Sequence, residues 1–88
     1  MILKDTFTFE NRSFQLSAVR LKDYNIFEIM VFPIEYGVVS GNEVYCFRTG
    51  DAKEAINKYR DIYYYSKNYV SEEAIEKYLK EKEDWFNT

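Results

Sequence analysis

The side chains able to do chemistry are few in kind. The chain has no histidine and a single cysteine, Cys46. Without an imidazole, no Ser-His or Cys-His nucleophilic pair can form within one chain. Cys46 lies between Tyr45 and Phe47 in a stretch that reads as a strand, so a buried, inert thiol is expected. Zinc sites draw on several Cys or His, and no stretch has the alternating acidic ligands of an EF-hand loop. The three glycines, Gly37, Gly41 and Gly50, form no phosphate or dinucleotide loop. Glu72, Glu73 and Glu76 read as one solvated helix face rather than a paired acid and base. The expectation is a non-enzyme with no catalytic residue, no cofactor and no metal.

Charge and tyrosine point instead to binding. Residues 1–70 carry nine Lys/Arg and nine Asp/Glu, so the net charge of −3 lies in residues 71–88. Just before that acidic stretch runs a series of tyrosines: Tyr59, Tyr63, Tyr64, Tyr65 and Tyr69. Consecutive residues on a helix diverge by about 100°, so Tyr63, Tyr64 and Tyr65 cannot share one buried face. With Tyr59, Ile62 and Tyr63 inward, Tyr64 and Tyr65 lie partly outside. Tyrosine combines a large ring with a hydroxyl and suits protein interfaces. The expected protein-binding face is therefore Tyr64, Tyr65 and Tyr69 as anchors, with Glu72, Glu73 and Glu76 as an acidic rim. Such a face fits a protein partner with a basic surface.

The elements that must position these residues follow from periodicity. Leu3, Phe7 and Phe9 alternate with Lys4, Thr6, Thr8 and Glu10, the pattern of a half-buried strand. Asn11-Arg12 supplies a turn. Phe14, Leu16 and Ala18 continue one face, and Val19 and Leu21 then appear in opposite phase, which suggests a bulge near 17–19. Residues 26–32 are apolar apart from Glu28, as in a central strand with both faces at least partly covered. Pro33 marks a strand end, an edge or a bulge, and Ser40-Gly41-Asn42 forms a hairpin loop. After Thr49-Gly50-Asp51 the period changes to 3.6. Ala52, Ala55, Ile56, Tyr59, Ile62 and Tyr63 form one stripe, capped by Asp51 or Thr49. Ala74, Ile75, Tyr78, Leu79, Lys82 and Trp85-Phe86 form a second stripe. The fold class is α+β in a single domain, 1–88. A four- or five-stranded antiparallel meander (residues 3–48) precedes two helices (51–66 and 71–86) packed on one face.

Composition limits the remaining classes. The longest apolar stretch, residues 29–34, is far short of the roughly 20 residues a spanning helix needs, and the start carries no secretory signal. A cytoplasmic protein without a membrane partner is expected. The acidic balance argues against free nucleic-acid binding, which needs concentrated positive charge. Tyr45 and Phe47 on an open sheet face would be the stacking pair of the alternative, a nucleic-acid-binding module. Phe, Tyr, Met, Ile, Asn and Lys, with A/T-rich codons, make up 39 of 88 residues, against 12 for Gly, Ala, Arg and Pro. That bias suggests an A/T-rich bacterium, phage or plasmid, and by itself enriches tyrosine. In size and composition alone the chain is similar to small host-directed inhibitors, including anti-CRISPR proteins, or to an antitoxin. The expected function is a non-catalytic protein–protein interaction protein, such as a phage- or mobile-element-encoded inhibitor acting by steric blocking.

Overall fold

The computed structural model describes residues 2–21 and 23–66, together with Lys77, Lys80, Glu81, Glu83, Trp85 and Phe86. Five strands, β1 (Ile2–Phe9), β2 (Arg12–Leu21), β3 (Ile26–Glu35), β4 (Val38–Val39) and β5 (Tyr45–Thr49), precede the helix α1 (Ala52–Ser66). All pairings are antiparallel. β1 lies beside β2 and β2 beside β3, while both β4 and β5 pair with the other edge of β3. The coarse expectation, an antiparallel sheet with α structure after it, holds. α1 is the helix whose bounds are described, and Lys77, Lys80, Glu81, Glu83, Trp85 and Phe86 are helical as well. The second helix expected over 71–86 falls for the most part outside them.

Left-handed backbone sets the turns. Glu10 and Asn11 have φ of 50° and 65° and join Phe9 to its register partner Arg12. Two consecutive positive-φ residues make the type I′ turn, whose twist matches that of the flanking strands. The turn is therefore Glu10-Asn11, one residue earlier than expected, and Arg12 opens β2. Tyr36 and Gly37, with φ of 53° and 77°, repeat the device between Glu35 and Val38. This replaces Ser40-Gly41-Asn42 as the hairpin loop after β3.

Ser40 to Val44 instead interrupts the edge opposite β3. Ile34 pairs with Val39 but Val31 pairs with Tyr45, so three steps along β3 face six along its neighbour. The Ser40 and Val44 amides still donate to the carbonyls of Pro33 and Val31, at 2.9 and 2.8 Å. A residue's N–H and C=O point to the same neighbouring strand in an antiparallel ladder. The missing donor of Pro33 thus faces this interrupted edge, which is how proline is tolerated inside β3.

No bulge occurs in β2. Its register with β1 runs unbroken from Ile2↔Val19 to Phe9↔Arg12, and with β3 from Ser13↔Ile34 to Leu21↔Ile26. The phase change at Val19 has another cause, since β2 is apolar on both faces.

One face of the sheet carries the core. Phe7, Leu16, Ala18, Phe27, Ile29 and Val31 lie on it and pack with Ala55, Tyr59 and Phe86. α1 sits over this face. Its start is fixed by Asp51 Oδ1, which accepts from the Lys53 amide at 3.0 Å, and by Thr49 Oγ1, which accepts from the Asp51 amide at 3.1 Å. Such caps satisfy helix N–H groups that have no intrahelical partner. Tyr59 is only 1% exposed. Its ring meets the edge of Phe86, with centroids 5.6 Å apart, and its hydroxyl donates to the Asp5 carboxylate on β1. Phe86 also lies against Phe27, at 5.9 Å. The C-terminal aromatics thus fasten that end of the chain to the core.

Tyr59 ties helix to sheet by both packing and a charge-assisted hydrogen bond. Tyr59→Phe keeps the ring and removes the donor from a part-buried carboxylate. Urea unfolding should show a loss of about 1–2 kcal/mol. A variant as stable as the parent would mean that the bond contributes nothing net.

Candidate protein-interaction surface

The second face of the sheet has no helix over it among the described residues. Side chains alternate between faces along a strand, and directly opposite residues share one. Lys4 therefore stands with Ser17 and Met30, and Met30 with Cys46. The same rule places Ile2, Val19, Leu21, Ile26, Phe32, Ile34 and Val39 on this face. Ile2, Val39 and Leu21 are 57%, 40% and 37% exposed. Val19, Ile26, Met30, Phe32 and Ile34 are half-buried, with no second layer over them among the described residues. Monomers seldom expose contiguous apolar patches larger than a few hundred Å², and larger ones mark contact sites.

The polar side chains of this face, Lys4, Thr6, Thr8, Ser13, Gln15 and Ser17, lie along β1 and the first half of β2, and the apolar ones lie along β3 and the end of β2. Arg48 Nε donates to Glu28 Oε2 at 2.6 Å across the β3–β5 pairing. The Glu28 hydrogen bond and its charge raise the Arg48 pKa further above its ordinary value. The pair thus holds its charges in place and adds no net charge to the face. Lys4 is the remaining charged side chain on these strand positions. Ser17, 3% exposed, has a buried Oγ without a hydrogen-bond partner. Among the described residues no three Cys, Asp or Glu side chains gather as a metal-ligand set. No helix among them is long and apolar enough to cross a membrane.

Several sequence expectations are redrawn by this geometry. Cys46 is exposed, not buried, because its side of β5 faces away from α1 and no layer lies over it among the described residues. Residues 26–32 are expected to be at least partly covered on both faces; α1 covers one, and Ile26, Glu28, Met30 and Phe32 on the other are half-buried. Tyr45 and Phe47 stand on the helix-bearing side, opposite Val31 and Ile29. Phe47 packs against the core with Lys58 Nζ 4.8 Å from its ring centroid, so the two aromatics form no open stacking platform. Tyr64 and Tyr65 belong to α1 by their backbone, and their side chains lie outside the described set. Tyr69, Glu72, Glu73 and Glu76 lie outside the described residues altogether.

Two signals in the sequence mark the apolar outer face. The near-continuous apolar run of β3 is one. The reappearance of Val19 and Leu21 out of phase with Leu16 and Ala18 is the other. Comparison with protein-family models, with curated proteins and with solved structures finds no match.

The two faces respond differently to attack from solvent. In the folded protein Cys46 should react with an aromatic disulfide reagent at a rate within about tenfold of the unfolded chain, as an exposed thiol does. Protection of a hundredfold or more would place a covering layer over the face.

Proposed function

We propose that the protein is a non-catalytic protein-interaction module that docks a partner on the open face of its sheet. The observation that carries this is the uncovered apolar surface built from Ile2, Leu21, Ile26, Met30, Phe32, Ile34 and Val39. Size supports it. Four strand positions about 4.8 Å apart and about ten residues of about 3.3 Å each give a face of roughly 600 Å². A standard interface takes about 800 Å² from each partner, so the face and its rim suffice for one.

Charge defines the partner's chemistry. With Glu28 neutralised by Arg48, the face offers the apolar side chains of β3 and its flanks, the uncharged Thr6, Thr8, Ser13 and Gln15 beside them, and Lys4. It fits a flat, charge-poor apolar protein surface whose rim is neutral or acidic. The basic-surfaced partner expected from Glu72, Glu73 and Glu76 would suit that acidic segment and not this face. In the form that the A/T-rich coding bias supports, the module is a mobile-element inhibitor that blocks a host protein sterically, in the cytoplasm.

The test begins with capture from a bacterial host extract and continues with the purified, identified partner. Phe32→Glu should abolish the reconstituted complex, since a buried unpaired carboxylate costs several kcal/mol. Tyr36→Glu, at a fully exposed hairpin tip, should leave affinity within about twofold, as expected away from the contact. Circular dichroism controls for folding. A complex indifferent to Phe32→Glu overturns the assignment. Self-association that Phe32→Glu abolishes, with no other partner found, would make a second copy the occupant and overturn the proposed partner.

A further inference from the structure

The two edges of the sheet are built differently. On the far side β4 and β5 are short, and residues 40–44 separate them. Such interruptions keep an edge from templating further strands. β1 is neither short nor interrupted. It runs from Ile2 to Phe9 without proline, in unbroken register with β2, and no strand lies on its outer side among the described residues. The direction of its peptide groups follows from the far edge. The Val31 and Pro33 carbonyls accept from Val44 and Ser40. Odd-numbered residues of β3 therefore turn their peptide groups to that side and even-numbered ones turn theirs to β2. Carried through the register, Arg12, Phe14, Leu16 and Ala18 of β2 bond to Phe9, Phe7, Asp5 and Leu3. The N–H and C=O groups of Ile2, Lys4, Thr6 and Thr8 thus point out of the β1 edge.

We infer that β1 pairs antiparallel with β1 of a second copy of this chain. The two-fold axis relating two such strands stands normal to the sheet. Opposite residues are then both even-numbered or both odd-numbered and lie on one face. Two registers give the longest overlap. One sets Asp5 against Asp5 of the second copy, and like charges directly opposite are destabilising. The other is centred on Thr6 and overlaps residues 3–9. Thr6 meets Thr6, a favourable cross-strand pair. Lys4 meets Thr8, Asp5 meets Phe7, and Leu3 meets Phe9, which is 46% exposed in the single copy. Sliding further sets Lys4 against Lys4 or shortens the overlap. The even-numbered pairs each exchange two backbone hydrogen bonds, because their peptide groups already point out of the edge. The strand's own charges thus select one register, and the two-fold axis closes the assembly as a dimer. This contact uses the sheet edge and does not rest on the open-face reading.

Sedimentation equilibrium of the full chain tests this, with circular dichroism as the folding control. A monomer–dimer equilibrium with a Kd of about 100 µM or tighter is expected, weak because an edge contact is smaller than a standard interface. Thr6→Lys and Thr6→Glu, at an exposed position, each put like charges on the axis and should weaken dimerisation about fivefold or more. Mixed one to one, the two variants should dimerise again, because the axis then brings opposite charges together. Asn42→Lys, exposed beside the far edge, makes the same change in net charge as Thr6→Lys and should leave the Kd within about twofold. Phe32→Glu should also leave the dimer intact, which separates this contact from self-association through the open face. A chain that stays monomeric up to about 500 µM, well above the expected Kd, overturns the inference. So does a dimer indifferent to both Thr6 variants, or a mixture of the two that stays monomeric.

Discussion

Everything in this fold depends on one mismatch. Its central strand is apolar on both faces, and α1 covers one of them. Phe27, Ile29 and Val31 point into the helix layer, where Ala55, Tyr59 and Phe86 complete the core. Ile26, Met30, Phe32 and Ile34 point the other way. A sheet ordinarily buries its apolar face against another layer, and antiparallel sheets tolerate one solvated face when that face is polar. Here the solvated face is apolar along β3 and the end of β2, and polar over β1 and the start of β2. The molecule is accordingly thin, with principal extents of 36 × 33 × 16 Å. In a chain of this size, where the core is modest, leaving such residues in water forgoes stability that a partner would restore.

Much of the sheet was legible from alternation. The strands, the change of period near Thr49–Asp51 and the inward stripe of α1 all follow from side-chain spacing, because burial on one face imposes it. Turn positions were less legible. The positive φ of Glu10 and Tyr36 is demanded by strand twist, although neither residue advertises it. Ser40-Gly41-Asn42 has better turn chemistry than Tyr36-Gly37, yet it serves as an insertion in the edge strand. The Pro33 carbonyl and the register of β5 decide that, and both are nonlocal. The bond from Tyr59 to Asp5 is equally hidden, since it joins residues 54 positions apart.

The candidate surface was legible only in part. The phase change at Val19 was in plain view and suggested a bulge, since a second apolar face without a covering layer is the rarer arrangement. Tyrosine content drew attention to α1 and the segment after it, where codon bias and interface chemistry predict the same composition.

The central claim, that this apolar face is bare, can be read directly in the free protein. Methyl groups labelled at Ile, Val and Met would be observed by NMR while a soluble paramagnetic probe is titrated in at low protein concentration. The account predicts strong relaxation at the Ile26, Met30, Ile34 and Val39 methyls and almost none at Ile29. Ile29 and Met30 are adjacent on the same strand, so the contrast between them reports the two faces alone. Met30 and Ile34 methyls as protected as those of Ile29 would contradict the account, because some further layer would then cover the sheet.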